Sequence, residues 1–119
     1  GQLIEDGPLG PGKERDEAEI DWAKPVSDVY NTIRAANPAP GAWTTLNGSE
    51  LKVYDSELVE GDGVYGEVVS TEGSGVTVQG NGGRILIKRV RPEGGGKITA
   101  IEWASNVEVN LGAKLGSKL

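Results

Sequence analysis

Glycine-rich turns cut the chain beyond residue 41 into short segments, and this spacing constrains the fold more than any other feature. Asn47 and Gly48 stand between two apolar runs, and both tolerate the positive φ that a two-residue hairpin turn requires. Nineteen glycines and no phenylalanine favour many turns and short strands over a helical bundle. The runs predicted as strands are 42–46, 51–58, 64–70, 75–79 and 84–90. The chain is therefore expected to be mainly β.

An amphipathic helix is predicted ahead of the first strand. Pro25 suits the first helical position, where its missing N–H costs nothing, so the helix should begin near Lys24. Apolar residues then repeat at helical spacing, at Val26, Val29, Tyr30, Ile33 and Ala36. Asn37 precedes Pro38, which disfavours helical dihedral angles at Asn37. The helix should therefore end at Asn37.

A second, shorter helix is predicted over 97–106, because Thr99 and Glu102 have the spacing of a capping box. Five short strands leave exposed sheet edges unless the sheet closes on itself. We therefore predict a small OB-like barrel, in meander or Greek-key order, with an N-terminal helix and a short C-terminal helix. The domain should occupy 20–119, and the glycine- and proline-rich stretch 1–19 should be a flexible linker.

The composition excludes several kinds of chemistry. The chain has neither cysteine nor histidine, so it forms no disulfide and lacks the usual zinc ligands and imidazole bases. No nucleophile stands beside a base at a recognisable spacing, so we predict no catalytic residue and no metal site. No apolar run approaches the roughly 20 residues that span a membrane. These features predict a soluble, cytoplasmic protein without a membrane partner.

Positive charge is concentrated in the second part of the chain. Residues 1–72 carry fifteen acidic and five basic side chains, whereas residues 73–119 carry three acidic and seven basic ones. The densest basic cluster consists of Arg84, Lys88, Arg89, Arg91 and Lys97. Strand alternation sends Arg84 and Lys88 to one side and the next two arginines to the other, unless a bulge intervenes. Two interpretations are open: a solvated face that balances nearby carboxylates, or a surface that contacts nucleic-acid phosphates.

The three tryptophans are predicted to anchor the fold. A buried Trp removes about 150–250 Å² from water, and a core without phenylalanine has few other large side chains. We therefore expect Trp22, Trp43 and Trp103 to pack in the core or against another domain rather than to serve as ligand platforms.

One stretch is specific enough to resemble a known family. It consists of Ile20-Asp21-Trp22 followed by Pro25, a helix carrying Ile33-Arg34, and the exit Asn37-Pro38-Ala39-Pro40-Gly41-Ala42-Trp43-Thr44. This pattern resembles the start of the C-terminal domain of 10-formyltetrahydrofolate-dependent formyltransferases, and the similarity extends over 13–116. The residues treated as the structural motif of the domain are Trp22, Pro25, Asn37, Pro38, Gly41, Trp43 and Trp103.

The resemblance implies an open Greek-key barrel related to OB-folds. In this family an N-terminal Rossmann-like domain of the same polypeptide performs catalysis with an Asn, a His and an Asp. Because the present chain has no histidine, it is expected to be inactive alone and to bind no cofactor itself. The resemblance implies 10-formyltetrahydrofolate as the cofactor of the parent enzyme.

The resemblance favours methionyl-tRNA as the formyl acceptor, held by the basic surface of this domain. Two alternatives stay within the family: a formyltetrahydrofolate hydrolase or dehydrogenase, and a sugar-nucleotide formyltransferase. A third alternative is a non-enzymatic OB-like interaction module.

Overall fold

The computed structural model describes residues 18–37 and 41–116. The first helix, α1, spans Val26–Ala36 and buries Val29, Ile33 and Ala36. It begins one residue after Pro25, which occupies the N-cap position with φ −51°. Asn37 is extended, with φ −88° and ψ 131°, so the predicted end of the helix is confirmed. Pro38 lies outside the described residues.

Six strands form one antiparallel sheet, followed by a second helix. The strands are β1 (Ala42–Leu46), β2 (Ser49–Val59), β3 (Val68–Ser70), β4 (Val76–Gly80), β5 (Gly83–Pro92) and β6 (Ile98–Thr99), and the second helix, α2, spans Ala100–Asn106. Their spatial order is β1-β2-β5-β4-β3, with β6 paired to β5. After β2 the chain therefore crosses to the far edge of the sheet and returns through β4 and β5. The prediction of a mainly β domain with one helix before and one after the sheet is confirmed.

The hairpin between β1 and β2 forms where the sequence predicts it. Leu46 pairs with Ser49, which leaves a two-residue turn of Asn47 and Gly48. Their φ values are +53° and +86°, and a turn of this kind requires positive φ at both central residues.

Two predicted boundaries are wrong by more than two residues. The third strand begins at Val68 instead of residue 64, because Gly66 adopts φ +91° and interrupts the extended backbone. The second helix begins at Ala100 instead of residue 97, because Ile98 and Thr99 pair with β5. The capping prediction itself is confirmed for the N-cap, since the Thr99 hydroxyl accepts a 3.1 Å hydrogen bond from the Glu102 N–H.

The segment 112–116 bridges the two edges of the sheet. At the β3 edge, the Val68 N–H donates to the Ala113 carbonyl and the Leu115 N–H donates to the Gly66 carbonyl, both at 2.8 Å. At the β1 edge, the Gly116 N–H donates to the Thr45 carbonyl at 2.8 Å. The named strands do not close by themselves, but this segment covers both edges. The architecture is a small open barrel, as predicted.

The core lies between the sheet and the two helices. Its largest fully buried apolar side chains are Ile33, Leu51, Val53, Val68, Val76, Val78, Ile85, Ile87 and Val90. Trp22 and Trp103 are also buried, which confirms the core alternative for both, and Trp43 is half-buried against the same core. Ala18 is fully buried and Glu19 forms a bridge with Trp43, so the ordered fold includes the last two residues of the predicted linker. The rest of that linker lies outside the described residues.

Candidate functional site

Strand β5 carries four of the five predicted site cations. The strand buries Ile85, Ile87 and Val90. The interval between successive inward-facing residues therefore changes from two residues to three after Ile87. The pairing with β2 is irregular at the same place, around Asp55. This bulge leaves both Lys88 and Arg89 outside the core, in contrast to strict alternation. The four cations of β5 therefore differ in the groups that their side chains contact, and not in the face of the strand on which they lie.

Two of the cations are paired with carboxylates. The Lys88 ammonium forms an ion pair with Glu57, and Arg89 Nε lies 3.4 Å from Asp55 Oδ2. All four side chains are at least a third exposed, and exposed pairs contribute about 0–1 kcal/mol to stability. The interpretation of a solvated face that balances carboxylates describes this part of the cluster.

Arg84 forms hydrogen bonds that hold the loop after β2. Its Nε donates to Gln79 Oε1 at 2.7 Å and its Nη2 donates to the Asp62 carbonyl at 3.3 Å. The buried Gln79 amide in turn donates to the carbonyls of Gly61 and Gly83, each at 3.0 Å. Arg84 thus fastens the loop after β2 to the β4–β5 hairpin, at the opposite end of β5 from Arg91.

The remaining two cations, Arg91 and Lys97, lie on the same side of the sheet as Lys52, a third cation that was not among the predicted site residues. Lys52 on β2 stands directly opposite Arg91 on β5. The Lys97 ammonium lies 4.2 Å from the centre of the Tyr54 ring. A methyl group placed on Gly41 would meet the Lys52 stem at 3.2 Å and the Tyr54 ring at 3.3 Å, so these side chains converge there. Lys52, Arg91 and Lys97 together are called the outer cation group below.

None of the three has an ion-pair partner among residues 18–37 and 41–116. Arg91 Nε donates instead to the Gly95 carbonyl at 3.0 Å. Like charges placed directly opposite on neighbouring strands repel, so the pair of Lys52 and Arg91 favours the approach of an anion. Lys52 could not be found from the sequence because the pairing of β2 with β5 is a non-local property.

A groove of about 430 Å³ runs beside this group. The side chains that matter for its chemistry are Trp43, Glu50, Lys52, Arg91, Pro92 and Glu93. Glu93 is held in place because its Oε1 accepts a 3.0 Å hydrogen bond from the Glu50 N–H. The groove therefore combines an aromatic ring, two cations and two carboxylates, of which the Glu93 carboxylate is held in place.

Other chemistry is limited within the described ranges. Among them, no group of three or more Asp or Glu side chains is arranged to hold a metal ion. Neither helix of this part of the chain is long and apolar enough to cross a membrane. The motif residue Asn37 has a structural contact, since its amide donates to the Tyr54 carbonyl at 3.4 Å.

The model of the formyl transferase C-terminal domain matches residues 13–108. This chain belongs to that family. The formyl transferase domain is 38% identical over 109 residues to methionyl-tRNA formyltransferase of Bacillus velezensis, covering 89% of this chain and 34% of that enzyme. It is 37% identical to methionyl-tRNA formyltransferase of Chromobacterium violaceum, covering 84% of this chain and 33% of the enzyme. The domain thus spans about a third of the length of these relatives.

Solved structures support the fold of this formyl transferase domain. HypX from Aquifex aeolicus, in a complex with tetrahydrofolic acid, superimposes with a TM-score of 0.75 at 19% identity. The match covers 90% of this chain and 20% of HypX. At this level of identity the likeness establishes the architecture, and it agrees with the open barrel described above.

Proposed function

We propose that this chain is the substrate-positioning domain of an enzyme that transfers a formyl group from 10-formyltetrahydrofolate to the amino group of methionyl-tRNA. Catalysis belongs to an N-terminal Rossmann-like domain of the same polypeptide, and the barrel holds the tRNA. The observation that carries the proposal is the outer cation group on a domain whose relatives are methionyl-tRNA formyltransferases.

Electrostatics favour Lys52, Arg91 and Lys97 over the other cations as phosphate contacts. Lys88 and Arg89 already face carboxylates, so a phosphate would have to compete with Glu57 and Asp55. Lys52, Arg91 and Lys97 form no ion pair with the described residues, although Glu50 and Glu93 line the same groove as Lys52 and Arg91. Each phosphate that it neutralises should add about 0.9 to the log–log salt slope on duplex and about 0.7 on single strands.

The test is a titration of the 119-residue chain with methionyl-tRNA across a salt series. The double variant Lys52→Gln/Arg91→Gln should weaken binding and reduce the slope by about 1.4 to 1.8. The double variant Lys88→Gln/Arg89→Gln removes the same charge and serves as the matched control. It should change affinity and slope much less, because its cations are already neutralised by carboxylates.

Equal losses in the two double variants would contradict the assignment to the outer cation group. Absence of binding by the wild-type chain at micromolar concentrations would contradict tRNA positioning itself. Absence of tRNA binding would instead favour water or a sugar nucleotide as the formyl acceptor.

A further inference from the structure

Exposed apolar side chains are concentrated where β2 ends. Of the six large apolar side chains that are exposed within residues 18–37 and 41–116, four lie in the stretch 58–65. These four are Leu58, Val59, Val64 and Tyr65, and their exposed fractions run from 41% to 54%. Single exposed apolar residues are ordinary on a protein surface, whereas a group of them marks a place that another molecule covers. The stretch 58–65 is therefore a contact surface in search of its partner.

A groove of about 410 Å³ opens beside the first two of these residues. Leu58 stands directly opposite the buried Ile85, so its side chain lies on the core face of the sheet, and yet it is 48% exposed. On the side away from β5, β1 pairs with β2 only over Ser49–Val53. Among the described residues, no strand lies beside the rest of β2 on that side. The groove is therefore an uncovered end of the hydrophobic core.

Glycines leave room inside this groove. A methyl group placed on Gly82 would meet nothing within 4 Å, whereas one placed on Gly83 would meet Val26 Cγ1 at 2.9 Å. Val26 itself is partly buried and packs against the core. An apolar side chain from a partner can therefore enter beside the backbone of the β4–β5 hairpin and continue the core. The apolar and glycine residues that line this groove, called the entry groove below, are Val26, Leu58, Val59, Gly61, Gly82 and Gly83.

The rim of the entry groove is acidic. Glu60 and Asp62 line it, both are exposed, and neither forms an ion pair with the described residues. A complementary partner therefore carries an apolar side chain flanked by lysine or arginine. A second copy of this chain fits poorly, because a symmetric contact between two entry grooves would bring the same carboxylates together.

The segment that leads into α1 runs along the entry groove. The Asn81 amide donates to the Ala23 carbonyl, and the Val26 N–H donates to the Asn81 carbonyl, both at 2.8 Å. These bonds fasten the segment to the hairpin that lines the groove. A methyl group placed on Gly66, next to Tyr65, would lie 3.9 Å from Trp22 Cβ. The exposed stretch 58–65 thus flanks the segment through which the upstream polypeptide is connected.

We propose that the entry groove, with Val64 and Tyr65, docks the upstream catalytic domain of the same polypeptide. This inference rests on the proposed function for the presence of that domain, and the chain spans about a third of the length of its relatives. A covalent connection raises the effective concentration of a neighbouring domain to about the millimolar range, so a small groove suffices to hold it. Gly83 and Arg91 are about 27 Å apart along β5, so the catalytic domain and a tRNA can be bound at the same time.

The experiment compares amide hydrogen exchange in the parent polypeptide, catalytic domain included, with exchange in the 119-residue chain. Amides of residues 58–66 should exchange at least about tenfold more slowly in the parent polypeptide, whereas those of residues 107–112 should exchange equally in both. Leu58→Lys places a cation between the rim carboxylates and should remove the difference. Leu111→Lys makes the same change at an exposed position outside the groove, and it should leave the difference in place.

A second pair of variants tests the same surface outside the strands. Val64→Lys should also remove the protection of residues 58–66 in the parent polypeptide. Its matched control is Val107→Lys, because Val107 is similarly exposed and lies after α2. This pair keeps the inference testable if Leu58→Lys disturbs the pairing of β2 with β5.

Equal exchange of residues 58–66 in the two proteins would overturn the inference, and so would protection that Leu58→Lys and Leu111→Lys reduce alike. Protection that develops in the 119-residue chain as its concentration rises would also overturn it, because a second copy would then occupy the groove. The two proposals can fail separately. Protection of residues 58–66 without methionyl-tRNA binding keeps this inference and removes tRNA positioning. Binding of tRNA through Lys52 and Arg91 without such protection does the reverse.

Discussion

The indole N–H of Trp22 donates a 3.0 Å hydrogen bond to the hydroxyl of Thr44, and both side chains are buried. Through this bond the segment before α1 is fixed to the inner face of β1. Thr44→Val keeps the shape of the side chain but leaves the indole N–H without an acceptor. The free energy of unfolding should fall by about 1–3 kcal/mol, measured by urea denaturation.

The neighbouring Thr45 provides the control for this change. Its side chain is half-buried on the other face of β1, so Thr45→Val should change the free energy of unfolding by about 0.5 kcal/mol or less. Thr44→Ser retains the hydroxyl and removes only one buried methyl group, so it should cost about 1 kcal/mol. Equal effects of the two valine substitutions would show that the hydrogen bond contributes little.

Gly116→Ala should destabilise the protein more than Gly112→Ala. Both glycines have positive φ, +77° and +88°, which costs about 1–2 kcal/mol for an alanine. Only at Gly116 would the new methyl group collide with a neighbour, at 2.9 Å from Trp22 Cδ1, while at Gly112 nothing lies within 4 Å. Overpacking should add about 1–3 kcal/mol to the loss at Gly116, measured by thermal or urea denaturation. Identical losses would mean that backbone strain accounts for the whole effect.

Arg84→Ala should reduce stability without affecting the tRNA binding that we propose for this domain. The substitution leaves Gln79 Oε1, on a buried side chain, without its guanidinium donor, which should cost about 1–3 kcal/mol in denaturation experiments. Arg91→Ala is the opposite case, because Arg91 is exposed and, among residues 18–37 and 41–116, its side chain donates only to the Gly95 carbonyl. It should leave stability nearly unchanged and weaken tRNA binding. A loss of tRNA binding by folded Arg84→Ala would show that the guanidinium reaches the ligand.

Thr99→Ala should cost about 1 kcal/mol, because it removes the side-chain acceptor at the start of α2. Thr99→Ser keeps that acceptor and should lose much less stability. Comparison of the two urea midpoints separates the capping contribution from the β propensity of this residue, which also pairs with Arg89. If both variants lose the same amount, strand pairing and not capping explains the effect.

Local sequence signals predicted the features that local geometry controls. The turn at Asn47 and Gly48, the helix end at Asn37 and the cap at Thr99 each depend on a few adjacent residues. The third strand was predicted too long because the positive φ of Gly66 depends on contacts with β4 and with Leu115.

The candidate site shows the same division. The sequence identified Arg91 and Lys97 as candidates, but it could not reveal that Lys88 and Arg89 face carboxylates across β2. It also gave no reason to include Lys52, since its position opposite Arg91 follows from the register between two distant strands. Register depends on tertiary packing and on the bulge near Asp55, which composition and periodicity do not encode.

The bridging segment 112–116 has a consequence for synthesis on the ribosome. The nascent chain produces β1 and β3 well before this segment, so both strands emerge with unoccupied backbone donors and acceptors. Exposed edges of this kind pair readily with other chains. The vulnerable period lasts until residues 112–116 have left the exit tunnel, and slower translation of this stretch should increase the demand for chaperones.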